Sequence, residues 1–295
     1  MKTIIRRHRQ TGFTMIEMMV SLGIGIVVAL AATQLFITNQ MSFNLQKGLG
    51  DVSENGRFAI EYISKQMRAG NFKPANPLVP VWPTVLVDTS DAPATLGLPA
   101  GVFSADNKAA LAAPATGAQG GIGPSDQLLI QYYTPVSTRD CEGNAVPANN
   151  YVLSRYFLRA DTTAGTGSAL VCEGGYHDGS SGAVLTNFAT TDTGGAVMLA
   201  AVDSFQVLLG TANDTTGIPE RFMTVSTYAA LSPRPQISAV RLGLLVSSIE
   251  RAGTMIGAAQ GVTVLDPAVA STSIPVDNRV RRLFAGTVSL RNVLN

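Results

Sequence analysis

The sequence predicts an α+β protein: one long N-terminal α-helix followed by a C-terminal, mostly antiparallel β-sheet domain. Three observations carry this. Between Phe13 and Ile37 the only charged residue is Glu17. Beyond that run, Lys47, Asp51, Glu54, Arg57, Glu61, Lys65 and Arg68 recur at spacings of three and four, which is one face of a helix. From Gln127 onward, apolar and aromatic runs are separated by clusters of Gly, Asn, Asp, Ser and Thr, the punctuation of strands and turns.

Composition narrows the class further. The chain has 295 residues, 21 Lys+Arg against 20 Asp+Glu, and a net charge of +1. Charged residues are 14% of the total, well below the roughly 25% of soluble globular chains. A mean hydropathy of +0.22 directs attention to a membrane segment. Bulk disorder is excluded by 46% apolar residues at low net charge. Nucleic-acid binding by bulk charge is not expected. Two cysteines and two histidines, with His8 in a basic tail, are too few for a Cys/His zinc centre, and no metal or cofactor is expected. No G-x-G-x-x-G, P-loop or H-E-x-x-H occurs, and no internal repeat.

The N-terminus opens with Lys2, Arg6, Arg7 and Arg9 before any acid. The following 25 residues from Phe13 to Ile37 make about 37 Å of helix, enough to cross a hydrocarbon core of about 30 Å. The basic block predicts a cytoplasmic N-terminus, with everything beyond the span exported. No small-residue cleavage site closes the apolar run, since Leu35, Phe36 and Ile37 follow the alanines. A carboxylate inside such a run, Glu17, costs about 2.5–3.5 kcal/mol unless paired, so it is read as functional.

The helix is expected to continue beyond the membrane. Lys47/Asp51, Glu54/Arg57 and Glu61/Lys65 stand at i,i+3 or i,i+4. Leu45, Leu49, Val52, Ala59, Ile63 and Met67 fall on another face and need a partner domain. Gly48, Gly50 and Gly56 weaken the helix, so a bend or melted turn is expected near 48–50. Gly70, with Pro74 beyond, reads as the C-cap. A helix from Phe13 to Ala69 would be roughly 85 Å long.

Residues 71–125 are Pro/Ala/Gly-rich and read as loops with a few short elements. Strand-like runs then cover Gln127–Tyr133, Tyr151–Leu158, Val197–Leu209, Phe222–Tyr228, Gln236–Ile249 and Arg282–Leu290. The organisation is a leader (1–12), a transmembrane half-helix (13–38), an amphipathic half-helix (39–70), the loop region (71–125) and a β-rich domain (126–295).

The string Gly12-Phe13-Thr14-Met15-Ile16-Glu17, behind a short basic leader and ahead of the apolar run, resembles the type IV prepilin signal. The resemblance implies cleavage by prepilin peptidase between Gly12 and Phe13 and N-methylation of Phe13. It also implies that Glu17 neutralises the N-terminal amine of a neighbouring subunit. The chemistry is coherent: glycine lets an extended backbone enter a peptidase cleft closely, cleavage creates a cation, and a carboxylate–ammonium pair is strong in low dielectric. The segment GRFAIEYISKQMRAGNF at 56–72 is similar to the helix end of PilW-type minor pilins. AVDSFQVLLG at 201–210, VRLGLLVSS at 240–248 and RRLFAGTVSLRN at 281–292 resemble that family's later strands in order.

The family implies a type IV pilin-like fold and a minor pilin that takes part in priming pilus assembly. The expected partners are prepilin peptidase, other minor pilins, the major pilin, the inner-membrane assembly platform and membrane lipid. The expected location is the inner membrane, single-pass with the globular domain periplasmic, and then the pilus surface. A minor pseudopilin of type II secretion shares the architecture and is the alternative. An exported enzyme on a membrane anchor is a third class, opposed by the shortage of catalytic side chains.

Cys141 and Cys172, exported to an oxidising compartment, are expected to form a disulfide. Two free thiols, or a catalytic thiol served by His177, are the alternatives. Trp82, between two prolines, is either an exposed contact or a partly buried packing anchor. Asn213, Asp214, Thr215 and Thr216 before Gly217 read as a plain turn rather than a calcium loop. Asp192 and Asp203 show no acid/base partner. Arg281 and Arg282 read as a surface patch or as edge-strand charges that block aggregation.

Overall fold

The computed structural model describes residues 12–70, 72, 80–108, 125–161, 167–189, 194–212, 218–251, 261–265, 272–273 and 277–290. His8 with the rest of 1–11, Asp192, the 213–217 turn and residues 291–295 lie outside them.

One helix, α1, runs without interruption from Met15 to Arg68. Its 54 residues span about 81 Å. The melted turn expected near 48–50 does not occur. The covered face is Gly48, Val52, Gly56, Ala59, Ile63, Ser64 and Met67. Leu45 and Leu49, expected in the stripe, are exposed. Glycines take their place because the sheet comes too close for a side chain. A Cβ on Gly56 would stand 2.2 Å from the Phe284 ring, and one on Gly286 would stand 2.7 Å from Ile60. The helix ends at Ala69, whose backbone is right-handed. Gly70 itself has no positive φ, so it is no left-handed cap; a Cβ there would meet Thr84.

In chain order the strands are β1 (Ala105–Lys108), β2 (Ser125–Thr134), β3 (Thr138–Arg139), β4 (Ala145–Val146), β5 (Asn150–Asp161), β6 (Gly167–His177), β7 (Ala196–Ala200), β8 (Val202–Ala212), β9 (Arg221–Met223), β10 (Gln236–Ser247), β11 (Gly261–Val262), β12 (Thr272–Ser273) and β13 (Arg281–Ser289). One sheet has the order β1-β2-β5-β6-β7 and the other β13-β10-β8-β9. All these pairings are antiparallel. β3–β4 and β11–β12 are two-stranded ribbons.

The sheets are stitched at β2 and β8. Asp126 Oδ2 accepts the Val207 N–H at 2.7 Å, and Ser125 Oγ accepts the Phe205 N–H at 3.2 Å. The carboxylate of Asp106 on β1 accepts the N–H groups of Val225 and Ser226, which open the short helix α2 (Val225–Ala229).

Alternation divides the first sheet into two faces. Leu128, Ile130, Tyr156, Leu170 and Cys172 join Val52, Ala59, Ile63 and Met67 of α1 and the second sheet in one core. Leu129 and Leu153 point to the other face, where Leu86, Leu96, Leu98, Val102 and Phe103 cover them. The Pro/Ala/Gly-rich region thus supplies a covering layer, built on 3-10 turns at Thr89–Asp91, Ala94–Leu96 and Ala100–Val102.

Three strand expectations change. The run Val197–Leu209 is two strands in different sheets, broken at Ala201 with φ +59°. Phe222–Tyr228 splits into β9 and α2, because the Thr224 hydroxyl caps the helix by accepting the Thr227 N–H. β6 has no counterpart among the expected strands. Its glycines are packing sites: a Cβ on Gly174 would stand 2.7 Å from Asp140 Cγ, and one on Gly175 would stand 2.5 Å from Phe188 Cβ.

Gly56→Ala is expected to lower the unfolding free energy of the detergent-solubilised chain by about 1–3 kcal/mol. Gly50→Ala, at a position with nothing within 4 Å of the added carbon, should instead raise it by up to about 1 kcal/mol. Chemical denaturation of both variants checks the pair.

Candidate functional site

The first described turn of α1 is closed by its own side chains. Thr14 is the N-cap, and its hydroxyl oxygen accepts the Glu17 N–H at 3.3 Å. Glu17 Oε2 in return accepts the Thr14 N–H and the Thr14 hydroxyl, both at 2.9 Å. This reciprocal capping box was legible as Thr-x-x-Glu and was missed, because Glu17 was read only as a charge. Gly12 has open space around its α-carbon, and Phe13 is 84% exposed.

Behind the cap the helix is apolar on every side and uncovered by the rest of the molecule. The most apolar 18-residue window is 0% buried. Its hydroxyls are satisfied locally: Ser21 donates to the Glu17 carbonyl at 2.7 Å and Thr33 to Ala29 at 2.8 Å. Such back-bonding pairs these hydroxyls within the helix.

Cys141 and Cys172 form a disulfide with Cα atoms 6.1 Å apart. It ties the turn between β3 and β4 to β6, beneath the end of α1. The Tyr156 hydroxyl beside it donates to Gln66 Oε1 at 2.7 Å.

Comparison with known proteins identifies both ends of this arrangement. The profile of the prokaryotic N-terminal methylation motif matches residues 7–33. That of the family described as Type IV Pilus-assembly protein W matches residues 155–292. Together the two matches support a PilW-type pilin. The PilW profile covers β6, β8, β10 and β13, four of the strands that contribute to the core beneath α1. No curated protein matches the chain. Among solved structures, the type IV-like pilin TTHA1219 from Thermus thermophilus is similar, at 16% identity and a TM-score of 0.34, over 60% of this chain and 79% of that one.

The other singled-out residues of this PilW-like chain hold the fold together. Trp82 is half-buried, and its indole N–H donates to the Gly179 carbonyl at 3.2 Å, so it anchors packing. His177 lies on the first sheet's outer face, whereas Cys172 points into the core beneath α1. Its ring stacks on Tyr151 at 5.3 Å. Nδ1 accepts the Gly179 N–H at 3.0 Å, which leaves Nε2 to donate to Gln131 Oε1 at 3.1 Å. This arrangement needs the neutral ring, and burial pushes its pKa down to about 4.

Asp203 does have a partner. Arg281 Nε stands 2.7 Å from Asp203 Oδ2, and its two Nη atoms clamp Asp277 at 2.6 and 2.7 Å. Burial raises the Asp203 pKa despite Arg281. Arg281 is therefore part of a buried cluster and not a surface patch. Arg282 is exposed, and its guanidinium donates to Ser53 Oγ of α1 at 3.0 Å. A second buried pair, Arg155 with Glu173 at 3.1 Å, lies under the covering layer, where Arg155 also donates to Gln127 at 2.7 Å. Among the described residues no group of three or more His, Cys, Asp or Glu is placed to hold a metal ion.

His177 has a pH consequence with a definite sign. Its folded pKa lies below the unfolded value near 6.5, so the unfolded chain takes up the proton first as pH falls. Its contribution is complete above pH 6.5 and is lost toward pH 4. Between pH 8 and pH 5 the unfolding free energy should drop by about 2 kcal/mol more than in His177→Gln. Denaturant titration of both proteins at the two pH values measures the difference.

Proposed function

We propose that this pilin is a minor subunit that takes part in priming and assembling the type IV pilus. The observation that carries the reading is the methylation-motif match on a helix whose apolar half is entirely uncovered. Prepilin peptidase would cut between Gly12 and Phe13, and methylation would leave Phe13 with a cationic amine. The leader would be cytoplasmic, residues 13–38 would span the inner membrane, and the β domain would stand in the periplasm. Other minor pilins, the major pilin and the inner-membrane assembly platform would be its partners. The PilW match favours the pilus over type II secretion.

Glu17 has two tasks in this account. Through Thr14 it closes the helix end while the subunit waits in the membrane. Its charge, left without a counter-ion by neutral donors, draws in the Phe13 ammonium of a neighbour. Cleavage removes nothing from the Thr14–Glu17 box, so the mature helix starts already formed.

Glu17→Ala should leave cleavage largely intact and reduce recovery of the subunit in sheared pili by at least about tenfold, the equivalent of roughly 1.4 kcal/mol. Gly12→Ala should still be processed in part, whereas a bulky residue at that position should block it. Immunoblots of membranes and pili separate the two effects. Normal incorporation of Glu17→Ala would remove charge pairing from the account.

A further inference from the structure

A cleft of about 290 Å³ lies where the covering layer, α2 and the ends of β10 and β13 meet. Pro83 and Val85 of the covering layer, Ile237 of β10 and Leu290 just after β13 give it apolar walls. Asp91, Arg234 and Gln236 supply its charged and amide groups. These three take no part in the N-terminal motif or in the core beneath α1.

Two donors here are left over once the fold is satisfied. Arg234 is held through Nη2, which stands 2.9 Å from Asp88 Oδ2 and donates to Ser90 Oγ at 2.9 Å. Its guanidinium lies 6.0 Å from the centre of the Tyr228 ring. That ring is fixed in turn by its hydroxyl, which donates to the Pro235 carbonyl at 2.9 Å. Among the described residues the buried Nη1 of Arg234 has no hydrogen-bond partner, since Asp91 Oδ2 at 3.8 Å is too distant. Gln236 Nε2 is also buried without a partner. A donor that is shut off from water and unpaired costs stability, and such groups are rare in native folds. Two of them on residues that line one cleft call for an acceptor that enters it.

The rest of the lining says what carries that acceptor. One guanidinium, Arg234, already faces two carboxylates, Asp88 and Asp91. The cluster is net negative and disfavours an anion, so the acceptor is a neutral carbonyl. The apolar walls suit an aliphatic body beside it. The cleft is slightly smaller than the roughly 300–1,000 Å³ of pockets that enclose a whole small ligand, and it suits one residue of a longer chain. We infer that it receives one uncharged aliphatic residue, with its flanking backbone carbonyls, from a peptide segment of a partner protein. Gln236 Nε2 donates to one carbonyl and Arg234 Nη1 to the other, while the aliphatic side chain packs on Pro83, Val85 and Ile237. The anchored residue gives specificity, and the rest of the partner's surface supplies affinity. Thr84, which also lines the cleft, packs against Gly70 at the end of α1 opposite its apolar half. On the membrane-spanning reading the partner therefore meets the protein away from the bilayer; the chemistry of the cleft does not rest on that reading.

The test is saturation-transfer NMR titration of the full chain in detergent. The probe is N-acetyl-leucine methylamide, an uncharged aliphatic residue with two carbonyls. The control is N-acetyl-leucine, the same body ending in a carboxylate. The methylamide should bind saturably and at least about tenfold more tightly than the acid. Gln236→Met keeps the length of the side chain and removes the donor. It should weaken methylamide binding by about tenfold. It should also leave the thermal midpoint of the unliganded protein unchanged or higher, because the lost group had no partner. The extended probe N-acetyl-glycyl-leucyl-glycinamide should bind at least as tightly as the methylamide, because a cleft for a continuing chain is open at both ends.

Absence of saturable binding, equal affinity for amide and acid, or unchanged binding in Gln236→Met would overturn the site. A lowered midpoint in Gln236→Met would overturn it too, by making Nε2 a structural group. Loss of binding in the extended probe would overturn the partner protein and assign the cleft to a free small amide. None of these readouts depends on processing at Phe13, so the pilin reading stands or falls separately.

Discussion

The close approach of α1 to the sheets is the constraint on which the rest of the structure depends. Gly56 lies where a methyl group would overlap the Phe284 ring, Gly286 leaves room for Ile60, and Gly70 leaves room for Thr84. Each glycine costs the isolated helix stability. The domain returns it through Val52, Ala59, Ile63 and Met67, which complete a core that neither sheet closes by itself. The outer cover, the disulfide and the buried Asp203–Arg281–Asp277 cluster then hold the sheets in the shape that receives the helix.

One continuous helix thereby works in two solvents. From Met15 to about Ile37 it is mostly apolar, with Glu17 its one charge, and covered by nothing in its own chain. From Gly48 onward one side is sealed by protein and the other is charged. The Thr14–Glu17 box and the back-bonded hydroxyls pair polar groups of the first part within the helix itself. The glycine seam makes the second part dependent on the β domain.

Much of this was legible in the sequence, and the failures have physical causes. The apolar run and the charge spacing together marked α1 to within two residues at each end, and apolar and aromatic runs marked β2, β5, β10 and β13. The glycines misled twice. At 48 and 56 they read as helix weakness and at 174 and 175 they masked a strand, whereas all four are contacts made across the sequence. The roles of Asp203 and Arg281 depend on partners 78 residues apart, which no local pattern encodes. At the candidate site, Gly12, Phe13 and Glu17 stood out because they fall within one short motif of local sequence. The capping role of Thr14 was equally local and was hidden by attention to the charge of Glu17.

The central claim is that the apolar helix begins at a processed Phe13 and serves assembly. Mass spectrometry of the N-terminal peptide from protein recovered in native membranes tests it most directly. The account predicts a chain that begins at methylated Phe13. A chain that begins at Met1, from cells with active prepilin peptidase, would contradict it and reduce residues 13–37 to a plain membrane anchor.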